Sequence, residues 1–406
     1  MSAPTRRTGN RDALMALLAA DRGIDRRKFI KGVGAGGLLM LGGPALLAAC
    51  SREGGGDGDR SFTFANWPFY IDQVEDGYFE TSSLEDFEAE TGIHVEYLEE
   101  VNDNTEWFAK VQAQLQAGEN IGRDLVALTD WMAARFIRLG WVEELDHSKI
   151  PNISNLEPSL QSPPFDPERK YTLPWQTGNT AIGYNPELTG RELTSINDIF
   201  DPAFEGRVSM LTESRDTLGL VMLGMGIEPE TCTMDDIHAA IDKIQPYVDS
   251  GHIRRFTGND YGSDLVSGDL AACFAWSGDV VQLQLDNPNL QFLIPEEGLM
   301  LWADNMMIPK GSTNIDEAHE WMNFVYEPRV AAKIASWVNF IPPVAGTREA
   351  LLELAEEIDD EELAALADDP LIFPDEETKA KSHIFRGLSE EEEREMDEAF
   401  QALIGA

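Results

Sequence analysis

Ser61-Phe62-Thr63-Phe64-Ala65-Asn66 opens the stretch that decides the fold, because strand and helix signals alternate from there as far as Gly140. The hexapeptide alternates with period two, as a half-buried strand does, and breaks at Pro68. Ser83 to Glu90 reads as a helix ended by Gly92, and Ile93-His94-Val95-Glu96-Tyr97-Leu98 alternates again. Thr105 to Ala117 reads as a helix stopped by Gly118, Asp124 to Thr129 as a strand, and Trp131 to Leu139 as a helix capped by Gly140. This βαβα order predicts an α/β lobe with a mainly parallel sheet, in which ligands collect beyond the carboxyl ends of the strands. Asn66-Trp67 and Thr129-Asp130-Trp131 then open on the same edge.

A second lobe is expected from the strand Thr180-Ala181-Ile182-Gly183-Tyr184-Asn185, ended by Pro186. Val208 to Leu211, Cys273-Phe274-Ala275-Trp276 and Asn305-Met306-Met307-Ile308 read as further short strands. Leu218 to Met225, Met234 to Tyr247 and Leu283 to Leu285 are helical or mixed. Helices return at Ile315 to Tyr326, Arg329 to Val338 and Arg348 to Ala367. Residues 351–406 hold 19 acidic and four basic side chains, and Ser389-Glu390-Glu391-Glu392 makes a capping box whose acidic first turn suits the helix dipole.

Residues 1–50 differ in kind, with eight basic side chains against three acidic ones. Arg26-Arg27-Lys28-Phe29-Ile30-Lys31 precedes the uncharged run Gly32 to Ala49 and then Cys50. A basic region before a short apolar stretch is the layout of an export signal. The pair Arg26-Arg27 followed by Phe29 resembles a twin-arginine signal, and Leu47-Ala48-Ala49-Cys50 resembles a lipobox whose cysteine is lipidated. Six glycines and a proline within eighteen residues make a poor permanent membrane span. Residues 51–60, Gly-rich and polar, read as a flexible tether.

The whole chain has 406 residues, 73 acidic against 31 basic, and a formal charge of −42. Such a charge excludes nucleic acid as a partner, since duplex affinity comes from Lys and Arg neutralising phosphates. Nine Trp and nineteen Phe call for a substantial core rather than a disordered chain. Three cysteines make no disulfide scaffold, and whether Cys232 and Cys273 pair is left open.

Several strings occur in one order: Asn66-Trp67-Pro68-Phe69-Tyr70, Asp124 to Trp131, Tyr171-Thr172-Leu173-Pro174-Trp175, Trp276-Ser277-Gly278-Asp279 and Trp302-Ala303-Asp304-Asn305. With a lipoprotein signal ahead of them, they resemble the spermidine/putrescine-binding proteins of polyamine ABC transporters, over about residues 62–390. The resemblance implies an α/β type II periplasmic-binding fold, a two-lobed Venus flytrap with mainly parallel mixed sheets and C-terminal helices. It assigns 61–179 and 305–345 to lobe one, 180–304 to lobe two and 346–406 to acidic helices packing across the lobes. It also implies a monomer that needs no cofactor or metal. Such a receptor sits on the outer face of the cytoplasmic membrane, touches that membrane through its lipidated N-terminus, and passes a small cation to the permease subunits of the transporter.

Residue by residue, the resemblance places Trp67, Tyr70, Thr129 and Trp131 on the lobe-one wall. It places Glu213, Asp216 and Trp276 on lobe two, Trp302 and Asp304 at a crossing, and Phe340 at the end of the cleft. Ser214 is the alternative to Glu213, and Asp130 and Asp279 flank site positions. The chemistry suits these roles. A polyamine is a multiply charged cation with an apolar backbone, so it needs rings that tolerate both CH₂ and ammonium, each cation–π contact contributing about 0.5–2 kcal/mol. It also needs acceptor-only carboxylates, because a buried ammonium left unpaired is costly. Pro68 stands where polyamine binders usually carry a hydroxyl residue, and Phe340 where they usually carry Tyr; another cationic or zwitterionic amine is the alternative cargo.

A secreted carboxylate-based hydrolase is the rival from another class, since paired carboxylates with tryptophans also suit glycoside hydrolysis. The six histidines form no His-Glu-x-x-His pattern, and neither Gly-x-Ser-x-Gly nor a phosphate-loop motif occurs. The sequence therefore points to a binding protein rather than an enzyme.

Overall fold

The structure, a computed structural model, describes residues 60–74 and 77–405. The assignments at Arg26, Arg27 and Cys50, and the tether up to residue 59, lie outside the described residues.

Along the first lobe run β1 (Arg60–Asn66), α1 (Ser83–Thr91), β2 (Ile93–Glu99), α2 (Asn104–Gln116), β3 (Leu125–Thr129) and α3 (Asp130–Leu139). Local chemistry sets these boundaries. Ser82 and Glu85 close a capping box ahead of α1, and Gly92 ends it at φ 70°, a left-handed conformation that costs glycine little. Gly140 ends α3 in the same way at φ 72°.

Then follow β4 (Leu173–Tyr184), β5 (Val208–Leu211), α4 (Ser214–Leu223), α5 (Met234–Asp249), β6 (Ile253–Thr257), β7 (Ala272–Trp276), α6 (Ser277–Gln284), β8 (Gln291–Leu293) and β9 (Leu299–Met307). The chain ends with α7 (Ile315–Val325), α8 (Pro328–Val338), α9 (Thr347–Ile358), β10 (Ser382–His383) and α10 (Glu390–Ile404), with short helical turns between.

Among the described residues all ten strands join one sheet, whose main path runs β2-β1-β3-β9-β4-β7-β5-β6. The outer pairs β1–β3, β5–β7 and β5–β6 are parallel, whereas β3–β9, β9–β4 and β4–β7 are antiparallel. β2-β1-β3 with α1 to α3 form one lobe, and β7-β5-β6 with α4 to α6 form the other. The long strands β4 and β9 run through both, so residues 61–405 hold together as one unit. The register between them shifts at Pro174/Gln176 and continues through Thr177↔Ala303 and Gly178↔Trp302.

Two strands are longer than the sequence patterns predicted. β4 starts at Leu173 instead of Thr180, because Pro174 reads as a break yet sits at the register shift, where a missing donor is tolerated. β9 starts at Leu299 instead of Asn305, because Trp302 and Asp304 interrupt its apolar run. The helix expected over 348–367 divides at Asp359, which adopts φ 54°, and Asp360 caps a new turn by accepting from the Leu363 N–H at 2.9 Å. Ser389 and Glu392 form the expected capping box of α10.

The main core is aromatic around Trp321, which Phe62, Phe64, Phe87 and Trp175 meet with ring centroids 5.1–6.3 Å apart. A separate small cluster of Ala332, Leu351, Leu354 and Leu363 seats the C-terminal helices. Cys232 and Cys273 are free and buried. Among the described residues, no helix is long and apolar enough to cross a membrane.

Candidate ligand-binding site

The carboxyl ends of β1, β3, β5 and β7 and the crossing strand β9 converge on one cavity with about 420 Å³ of space, part of it continuous with solvent. It is lined by Trp67, Pro68, Tyr70, Asn104, Thr129, Glu213, Asp216, Asn259, Trp276, Asp279, Trp302, Asp304 and Phe340.

From β1, the buried Asn66 accepts the Trp67 backbone N–H at 2.9 Å, and the Trp67 indole donates to the Ala127 carbonyl at 3.1 Å. Phe69 turns the chain at φ 56°, its N–H donating to Glu99 at 3.0 Å, which brings Tyr70 back to the cavity. Tyr70 packs edge-on against Phe340 at 5.1 Å, and its hydroxyl lies beside Asp304. At the end of β3 the Thr129 hydroxyl donates to Asp304 at 2.8 Å and accepts from the Asn104 amide at 2.9 Å. That amide also donates to Glu213 at 3.0 Å, joining the lobes across the cleft.

On lobe two, Glu213 occupies the N-cap position of α4 and Asp216 lies in its first turn, where the helix dipole favours negative charge. The Trp276 indole donates to Asp216 at 2.8 Å, while the Tyr261 hydroxyl donates to Asp279 at 2.6 Å. Trp302 donates from its indole to Thr180 at 3.0 Å. The rings form a continuous wall: Trp67 to Trp276 at 6.2 Å, Trp276 to Trp302 at 6.5 Å and Trp302 to Phe340 at 5.6 Å. Two glycines make room for it. A Cβ on Gly178 would stand 2.5 Å from the Trp302 ring, and one on Gly278 would stand 2.5 Å from Phe340.

Nine of the ten residues expected at the site from the sequence line this cavity, and Trp131 does not. An α-helix turns about 100° per residue, so from Thr129, facing the cavity, Trp131 is rotated about 200° to the opposite side of α3. Its ring lies under the Arg215 guanidinium instead, 3.9 Å from ring centroid to Cζ. The same rotation along α4 turns Arg215 away while Glu213 and Asp216 face the cavity. Ser214, the alternative to Glu213, lines a neighbouring space. Asp130 turns to the Asn305 amide at 2.7 Å.

Asn104 and Asn259 join the lining unforeseen, Pro68 lines it at the position where the sequence departs from polyamine binders, and Asp279, expected only to flank the site, lines it. Asn104 and Asn259 follow the ends of β2 and β6, so applying the strand-end rule to every strand finds both.

Four carboxylates therefore share one cavity, and no Lys or Arg is among the described residues lining it. Burial pushes Asp279 and Asp304 up to about 7. Burial likewise raises Glu213 and Asp216, and the Asp216 charge raises Glu213 further. One Glu213 oxygen has no hydrogen-bond partner. A carboxylate kept from water and unpaired is stabilised by any cation that enters. Away from the cavity, Glu228, Glu230 and His383 are the one trio among the described residues whose side-chain atoms converge closely enough to hold an ion; the His383 ring already meets both carboxylates at 3.1–3.2 Å.

Comparison with known proteins gives the family. Residues 82–365 match the bacterial extracellular solute-binding protein family. The chain is 28% identical over 348 residues to spermidine/putrescine-binding periplasmic protein 1 of Haemophilus influenzae, covering 84% of this chain and 90% of the relative. It is 29% identical to the putrescine-binding periplasmic protein SpuD of Pseudomonas aeruginosa, covering 80% and 89%. A solved ABC-transporter protein of Listeria monocytogenes superposes with a TM-score of 0.72 at 25% identity, covering 85% of this chain and 98% of that one. The chain thus belongs to the bacterial extracellular solute-binding proteins, two-lobed receptors of the type II periplasmic-binding fold rather than enzymes.

Proposed function

We propose that the protein captures a polyamine of the putrescine or spermidine class between its lobes and delivers it to an ABC permease for import, held at the outer membrane face by a lipid on Cys50. The observation that carries this reading is the cavity's charge pattern: Glu213, Asp216, Asp279 and Asp304 behind a wall of Trp67, Trp276, Trp302 and Phe340, with no basic side chain among the described residues of the lining. The carboxylates take the ammonium groups and the rings take the methylene chain, with cation–π attraction where the two meet. The names of the relatives support the same cargo. In this reading 61–179 with 305–345 and 180–304 are the closing bodies, 346–406 packs across them, and the receptor acts as a monomer. The cargo contacts both lobes only when they are closed, so its binding energy shifts the population toward the closed form.

Calorimetric titration of the protein with putrescine and spermidine at moderate salt tests this. Saturable one-to-one binding in the micromolar range or tighter is expected. No heat and no thermal stabilisation with either would sink the polyamine reading and send the search to other cationic or zwitterionic amines.

A further inference from the structure

On the far side of Glu213 from the cavity, α3 of lobe one meets α4 and α10 of lobe two. α10 rides on lobe two: it packs along α5, Phe400 meets Phe256 of β6 at 5.9 Å, and His238 of α5 meets Glu395 at 2.8 Å. Near its start Glu393, 5% exposed, accepts from Arg215 at 2.9 Å and Arg138 at 2.5 Å and forms an ion pair with Arg135 at 3.3 Å. One turn on, Asp397 accepts from Arg135 at 2.8 Å. Arg215 lies over the Trp131 ring at 3.9 Å, and Arg135 approaches the same ring at 5.0 Å.

Arg135, Arg138 and Trp131 all belong to α3, whereas Arg215, Glu393 and Asp397 belong to lobe two. These contacts bridge the lobes without using the faces that line the cavity. The cluster nevertheless reaches the cavity through Glu213, two residues before Arg215 and coulombically attracted to it. Both groups keep one buried polar atom without a hydrogen-bond partner, Oε1 of Glu213 and Nη1 of Arg215.

We propose that this Arg–Glu–Trp cluster is a clasp that holds a fraction of the protein closed in the absence of cargo. Only its effect on cargo affinity rests on the receptor reading above; its effect on closure does not. Apparent affinity scales with the closed fraction, so a clasp that raises this fraction tenfold tightens binding about tenfold with no added ligand contact.

Distance measurement by pulsed dipolar spectroscopy on the full chain tests this, with spin labels on Glu88→Cys and Asp242→Cys, exposed residues of opposite lobes, and Cys50→Ser in the background. Without polyamine, the parent is expected to show a short-distance population that Arg138→Gln and Trp131→Leu each deplete and Arg138→Lys partly restores. Arg138 is 37% exposed, so its replacement leaves the core intact. With saturating spermidine all variants are expected to reach the same short distance, at an apparent Kd about tenfold weaker for Arg138→Gln and Trp131→Leu. A parent wholly open without ligand, or variants with unchanged distances, would overturn the clasp. Changed distances with no spermidine binding would leave the clasp standing and remove the polyamine reading instead.

Discussion

Two groups of buried carboxylates lie back to back across Glu213, and they are balanced in opposite ways. Behind it, Glu393 is surrounded by Arg135, Arg138 and Arg215; burial raises its pKa, but the arginines outweigh that and hold it below its ordinary value. In front, Asp304 has a hydroxyl, Asp216 an indole and Asp279 a tyrosine as partners, and burial wins, raising all three. A buried network that supplies its own cations holds the protein together. One that leaves the cations out has room for a charged guest.

Substitution on the two sides therefore acts on different quantities. Asp304→Asn keeps the shape and removes the charge. It is expected to weaken spermidine binding by roughly 2–5 kcal/mol while the ligand-free protein keeps or gains thermal stability, because an unpaired buried charge has been removed. Calorimetry and a melting curve on the same sample read both, and unchanged affinity would take Asp304 out of the site. Glu393→Gln removes the carboxylate that three guanidiniums share. It is expected to lower unfolding stability by about 3 kcal/mol in a denaturant titration, since it leaves buried positive charge uncompensated. If instead Asp304→Asn unfolds the protein and Glu393→Gln does not, the contrast between the two sides is wrong.

The aromatic wall gives a smaller test. In Gly278→Ala the new Cβ enters the space of the Phe340 ring, 2.5 Å from its nearest carbon, and the ring has to shift. A cost of about 2 kcal/mol in stability is expected from overpacking, with weaker binding because Phe340 closes the wall. Melting and affinity equal to those of the parent would mean that the ring has somewhere to go.

How much of this is legible in the sequence depends on whether a residue's role is set locally. Trp276, Trp302 and Asp304 are readable because each ends or interrupts an apolar strand, where a large or charged side chain is conspicuous. The helix ends at Gly92 and Gly140 are readable because a left-handed cap is a one-residue event. The single continuous sheet is not, because strand pairing between β4 and β9 joins residues more than a hundred positions apart. Trp131 shows the limit at the site. Strand-end position brings it to the correct loop, but helical phase decides its face, and its partner Arg215 lies on another element. Asn104 and Asn259 escape notice because an asparagine after a strand looks like any cap or turn.

The titration of the front carboxylates sharpens the comparison most gently. Asp279 and Asp304 stand at about 7 in the folded protein, above the ordinary aspartate value of 3.8. Between those limits the folded state binds more protons than the unfolded state, so stability falls as pH rises from about 4 to 7 and then levels off. Any one of these groups contributes at most about 1.4 kcal/mol per pH unit. The ligand-free protein is thus expected to melt at lower temperature at pH 8 than at pH 5. A cationic cargo prefers the ionised carboxylates, so its binding runs the other way: weak at pH 5, stronger toward pH 8, with protons released to buffer on binding near pH 6. Glu393, held low by its arginines, stays ionised throughout and adds nothing to this slope. Melting curves from pH 5 to 8 with and without spermidine, and calorimetry in two buffers of different ionisation enthalpy, measure both trends. A melting temperature that rises over this range without ligand, or binding without proton release at pH 6, would mean that the front carboxylates are already paired and that the two sides of Glu213 are alike.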